Sequence, residues 1–143
     1  LKDNKIFIVF IAIFLVLIGV SSNVIKNKEN KIVVEKRVNG TDEYEFYSEI
    51  MSSKEVQNAR DILSSIKWEN ATVNMVRNAD YVFHFEDTRE KQKPNGLIYA
   101  LWISPDKDKI ELVIDSEVKY VQLDKEKSEK LFKIITGKNL SET

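Results

Sequence analysis

The apolar residues of this chain form one unbroken run, followed by shorter stretches that alternate or recur at helical spacing. The unbroken run is Ile6–Val20, which carries no charged or polar side chain and lies between Lys2 and Lys5 on one side and Ser21, Ser22 and Asn23 on the other. A fifteen-residue helix covers about 22 Å, short of the roughly 30 Å hydrocarbon layer of a bilayer. Continuing through Val24 and Ile25 brings it to about 30 Å. All fifteen positions of this run are apolar or glycine, so every side of the helix, and not only the stripe through Ile6, Phe10, Phe14, Leu17 and Val20, is without a polar group. It therefore has no polar face to turn to water, as a buried amphipathic helix would. The segment is expected to be a membrane segment, either a retained anchor or a cleavable signal peptide. Its bulky Ile, Phe and Leu content and the lack of an Ala-x-Ala site favour the anchor, while cleavage around Val20–Ser22 is the alternative. Lysines flank both ends (Lys26, Lys28 and Lys31 follow), so the positive-inside rule does not orient it. The short amino-terminal tail and signal-like layout place the remainder of the chain outside the cell membrane. The chain opens on Leu1 rather than Met, so the basic stretch is expected to begin upstream or at a non-standard codon.

Beyond a polar spacer the periodicity becomes that of a folded domain. Ile32–Val38 reads as a strand, and Asn39-Gly40 supplies the two positive-φ positions of a type I′ turn leading to a second strand at Thr41–Tyr47. In that strand Tyr44 and Phe46 share one face, and Glu43, Glu45 and Tyr47 the other. Ser52–Glu55 matches a capping box, opening a helix whose Val56, Ala59, Ile62, Leu63 and Ile66 form one stripe. Ala71–Arg77 reads as a further strand. Ala79–Glu86 is a clearer one, with Tyr81, Phe83 and Phe85 opposed to Val82, His84 and Glu86. After the charged stretch 87–93 and the turn at Pro94-Asn95-Gly96, Leu97–Ile103 is apolar on both faces, as in a central strand covered on both sides. Ile110–Asp115 and Val118–Leu123 follow. Asp124 then caps a last helix over Lys125–Thr136 that stops at Gly137, with Glu126–Lys130 and Glu129–Lys133 as i,i+4 pairs. This order predicts an α+β fold: an N-terminal apolar helix, then a mainly antiparallel sheet with two helices packed on it. Residues 1–30 would be the membrane anchor or signal segment with its spacer, and residues 31–143 one extracytoplasmic domain.

Composition narrows the chemistry. A net charge of −1 with no basic face gives no case for nucleic acid. The absence of cysteine removes disulfides, thiol nucleophiles and thiolate metal sites. Four glycines form neither a phosphate loop nor a dinucleotide fingerprint, and no nucleophile elbow occurs. His84, the one histidine, shares a strand face with Glu86, and the two are weak candidates for a metal pair. A transition-metal site usually draws on more than one soft ligand, so a solvated or carboxylate-paired His84 is the expected reading and no metal or cofactor is expected. Asp106, Asp108 and Glu111 lack EF-hand spacing and its glycine, and read as a solvated hairpin turn rather than a calcium loop. Trp68, Tyr99, Trp102 and Tyr120 are expected to pack in the core rather than mark a binding surface.

The segments Tyr99–Ile103 (YALWI), Tyr120–Leu123 (YVQL) and Ser128 with Leu131 resemble the YhfM-like family, small uncharacterised envelope proteins of Bacillus and relatives. The likeness runs from about Ile32 to Gly137 and rests on core-type residues. Many members look like lipoproteins with a cysteine after the signal. This chain has none, so the resemblance leaves the apolar helix itself as its tether. It implies no activity and no catalytic residues. The expected function is a membrane-tethered extracytoplasmic domain, not an enzyme, that binds a protein or wall component. The alternative is a small-molecule or metal-ion sensing domain, and an unrecognised hydrolase is a distant third.

Overall fold

The computed structural model describes residues 30–89 and 96–143. The expected apolar helix Ile6–Val20 lies outside the described residues, and among these no helix is long and apolar enough to cross a membrane. Seven strands form one sheet: β1 (Lys31–Arg37), β2 (Tyr44–Ile50), β3 (Glu69–Asn70), β4 (Tyr81–Glu86), β5 (Tyr99–Ile103), β6 (Ile110–Ile114) and β7 (Lys119–Gln122). Their spatial order is β2-β1-β4-β5-β6-β7-β3, and every neighbouring pair is antiparallel. Two helices, α1 (Ser53–Ser64) and α2 (Lys125–Thr136), pack on one face. The mainly antiparallel sheet with two helices is thus as the periodicity predicts.

Alternation decides what each face carries. The helix-covered face gathers Ile32, Val34, Phe83, Leu101, Ile110 and Leu112, all with no exposed surface, against Val56, Ala59 and Leu63 of α1 and Leu131, Phe132 and Ile135 of α2. Phe83 stacks on Tyr99 with ring centroids 5.0 Å apart and planes 10° from parallel. Tyr81 sits edge-on between Tyr47 and Phe132, and burial pushes its hydroxyl up to about 12. Ser128 is buried outright in α2. Its hydroxyl accepts from the Ile110 amide (3.0 Å) and donates to the Leu123 carbonyl (3.3 Å), which ties α2 to β6 and to the chain leaving β7.

Several expectations are corrected. The first hairpin has no type I′ turn: Gly40 takes φ +78° while Asn39 does not enter positive φ, and Thr41 N–H donates to the Val38 carbonyl (3.1 Å). This is the pattern of a type II turn with glycine third. Thr41 Oγ accepts from Glu43 N–H and donates to the Val38 carbonyl, so residues 38–43 form a longer loop and β2 begins at Tyr44 and ends at Ile50. A bulge then interrupts β2: Val34 pairs with Ser48 and Glu35 with Phe46, leaving Tyr47 as the extra residue. Tyr47 turns to the helices and donates to the Thr136 carbonyl (3.1 Å), while Phe46 stays on the opposite face, 65% exposed.

The segment Ala71–Arg77 is not a strand. After the two-residue β3 the chain crosses from the sheet edge to its centre: Ala71 N–H donates to the Val118 carbonyl at the start, the Arg77 carbonyl accepts from the Trp102 indole, and the Asp80 carbonyl accepts from Arg37 N–H where the chain joins β4. Leu97–Ile103 does occupy the centre of the sheet, as β5 from Tyr99, but helices cover only one of its faces. The capping box is half made: the Ser52 hydroxyl accepts from Glu55 N–H (3.4 Å), without the return bond. Asp124 caps α2 through Lys127 N–H (2.8 Å), and Gly137 ends it at φ +74°. Lys130 meets Glu126 at 2.6 Å, but Glu129 turns from Lys133 to accept from Leu140 N–H (3.3 Å).

Candidate functional site

The face of the sheet turned away from α1 and α2 is where most of the singled-out side chains meet. Cross-strand register puts Val33, Glu35 and Arg37 of β1 there, with Tyr44, Phe46 and Glu49 of β2 and Val82, His84 and Glu86 of β4. Trp102, Glu111 and Tyr120 continue the face across β5, β6 and β7. It mixes aromatic, branched and charged side chains, most of them half-buried.

At one end a ladder of opposite charges crosses three strands. His84 Nε2 lies 2.8 Å from Glu86 Oε1, Lys31 Nζ is 2.9 Å from Glu86 Oε2, and Lys31 reaches Glu49 at 3.4 Å. The hydrogen bond from Lys31, then that from His84, holds the Glu86 carboxyl below its usual range, and Glu86 in turn raises the Lys31 ammonium. The structure thus brings His84 and Glu86 together, as strand alternation predicts, but with both carboxylate oxygens engaged. Among the described residues no group of three or more His, Asp or Glu side chains is placed to hold a metal ion.

At the other end the crossing segment is pinned over the face. Arg77 forks onto Asp80 (Nη1–Oδ1 2.5 Å, Nη2–Oδ2 2.9 Å) and also donates to the Ile103 carbonyl (2.9 Å). Asp80 accepts from the Ile103 amide (2.7 Å), and Trp102 Nε1 donates to the Arg77 carbonyl (2.8 Å). A cleft of about 510 Å³ remains beside this strap, lined by Met75, Val76, Trp102, Pro105 and Glu111 among others. Sequence reasoning missed Arg77 and Asp80. Their i,i+3 spacing just before a strand was the available signal, but their shared partner Ile103 is distant in sequence.

The aromatics divide between the faces. Trp68 and Tyr99 pack on the core as expected, whereas Trp102 and Tyr120 point to the open face, because each alternates with a core residue, Leu101 or Val121. Asp108 pairs with Lys125 (2.9 Å) and accepts from the Ser104 hydroxyl (3.2 Å), while Glu111 accepts from Gln122 (3.1 Å). These acids therefore serve separate turn and strand contacts. A second concavity, about 800 Å³, runs between α1 and α2, with Lys54, Glu55, Asp61, Lys130 and Lys133 around Ile62 and Ile134.

The family model described as YhfM protein matches residues 25–141, well over half of the chain. No curated protein and no solved structure gives a significant match.

Proposed function

The chain belongs to the YhfM family, and for this member we propose a membrane-tethered domain, outside the cell membrane, that binds a protein or cell-wall partner without catalysing a reaction. The tether is the uncharged run Ile6–Val20. The observation that carries the binding role is Phe46, held 65% exposed on the helix-free face by the Tyr47 bulge. A bulge that lets Tyr47 reach the core while Phe46 stays in solvent builds an aromatic anchor on a rigid strand, and aromatic anchors dominate protein interfaces. Tyr44 stands beside it on the same face, its hydroxyl fixed to the Ala79 carbonyl (2.9 Å).

A photocrosslinking amino acid at position 46 tests this in intact cells. A discrete adduct from position 46, absent when the same residue replaces Gln57 on α1, supports the reading. Equal labelling from both positions, or none across growth conditions, removes it. The second reading, a small-molecule or ion sensor, rests on the groove between α1 and α2. Saturable thermal stabilisation by a sugar, peptide or metal, lost in Lys133→Glu, would favour it.

A further inference from the structure

The strands have a fixed sense relative to the point where the chain enters the sheet. Register places Lys31, Ile50, Glu86, Tyr99, Ile114 and Lys119 at one end, and Arg37, Tyr44, Tyr81, Ile103, Ile110 and Gln122 at the other. Residues 1–29 lead into the first of these ends. Five large apolar side chains are exposed among the described residues, and three belong to this entry end: Met51 (60%) after β2, Ile98 (60%) before β5 and Val118 (50%) before β7. They are spread over the width of the sheet from β2 to β7, about 24 Å at the usual strand spacing.

Val118 adds an independent observation. It takes φ +54°, ψ +48°, a left-handed conformation that costs a β-branched residue roughly 1–2 kcal/mol and that glycine or asparagine would occupy more cheaply. The strain holds a branched apolar side chain outward at the sheet's end, where packing does not need it. Chain length supplies the occupant. If the apolar crossing ends at Ile25, residues 26–30 reach at most about 17 Å, so the entry end cannot stand far from the bilayer.

We propose that the entry end of the sheet rests on the lipid surface, with Met51, Ile98 and Val118 in the bilayer interface and the strands standing away from it. This rests on the tethered reading above. It leaves the open face, with Phe46, directed sideways and accessible to a partner. Asp115 and Glu117 lie just before Val118 and keep the contact shallow, since a carboxylate carried into the hydrocarbon would be costly.

The chain has no cysteine, so Met51→Cys, Ile98→Cys and Val118→Cys each place one environment-sensitive label on the full-length protein, with Phe46→Cys, Val76→Cys and Asp106→Cys as comparisons. Each labelled chain, its fold checked by circular dichroism, is reconstituted in vesicles of phosphatidylethanolamine and phosphatidylglycerol with a spin-labelled lipid as quencher. The expected result is severalfold stronger quenching at 51, 98 and 118 than at 46, 76 and 106. Chains that float with the vesicles but show equal, weak quenching at all six positions overturn the orientation and leave the tether standing. Chains that do not float overturn the tether and the orientation with it.

Discussion

Ser128→Ala is the sharpest probe of how α2 is held to the sheet. Ser128 has no exposed surface, and its hydroxyl is the partner of the Ile110 amide, which is itself fully buried at the start of β6. Removing the oxygen leaves that amide with no acceptor, at about 1–3 kcal/mol for an unpaired buried polar group. Alanine recovers up to about 0.5 kcal/mol through its higher helix propensity. The net loss should be about 1–2 kcal/mol. Among the described residues every buried apolar side chain lies from Ile32 to Leu140, so a fragment starting at Asn30 serves for urea unfolding. Trp68, bonded to the Leu63 carbonyl and beside Tyr99, reports the transition. Ser64→Ala, on the exposed side of α1, serves as the control and should shift stability by less than about 0.5 kcal/mol. Hydrogen exchange at Ile110 should accelerate in Ser128→Ala. An unchanged midpoint together with unchanged Ile110 exchange would refute the claim that this hydroxyl joins helix and sheet.

The remaining predictions use the same fragment. Phe83→Ala deletes a fully buried ring and its stack on Tyr99, and should cost about 3–5 kcal/mol, enough to abolish a cooperative transition in a marginal domain. Val118→Asn relieves the left-handed strain and should raise stability by about 1 kcal/mol; a loss would show that the native conformation there is not strained. Glu86 has a lowered carboxyl pKa in the fold, so its pairing with Lys31 and His84 contributes above the ordinary carboxylate range and is lost as pH falls through the depressed value. Glu86→Gln should therefore narrow the stability difference from its parent as acid is added, whereas a constant difference between about pH 7 and about pH 3 would contradict the pairing. Asp124→Ala removes the α2 cap and should cost about 1 kcal/mol by urea midpoint.

Local chemistry made much of this fold legible from sequence. The last helix follows from Asp124, Gly137 and the stripe through Leu131, Phe132 and Ile135, each interacting within a few residues. Period-two alternation set Tyr81, Phe83 and Phe85 against Val82, His84 and Glu86, and the fold buries the first set. What alternation could not supply was register. The bulge at Tyr47 arises because Tyr47 and Ser48 both bond to the carboxyl end of α2, contacts more than eighty residues distant. The crossing segment was misread as a strand because its alternating Val, Met and Arg residues suit an edge, while its real partners are the Trp102 indole and the ends of β5. Trp102 and Tyr120 were assigned to the core from their positions in strands. Their faces depend on Leu101 and Val121 being the buried neighbours. Lys31 was read as one of the lysines flanking the apolar run, yet it pairs with Glu86 through the register of β1 with β4.

The central claim, a domain tethered by Ile6–Val20 outside the cell membrane, is tested most directly by adding protease to intact cells that make the full chain with a carboxy-terminal epitope. The account predicts loss of the epitope before lysis, with a short amino-terminal fragment kept in the membrane fraction. An epitope protected until the cells are broken would contradict it.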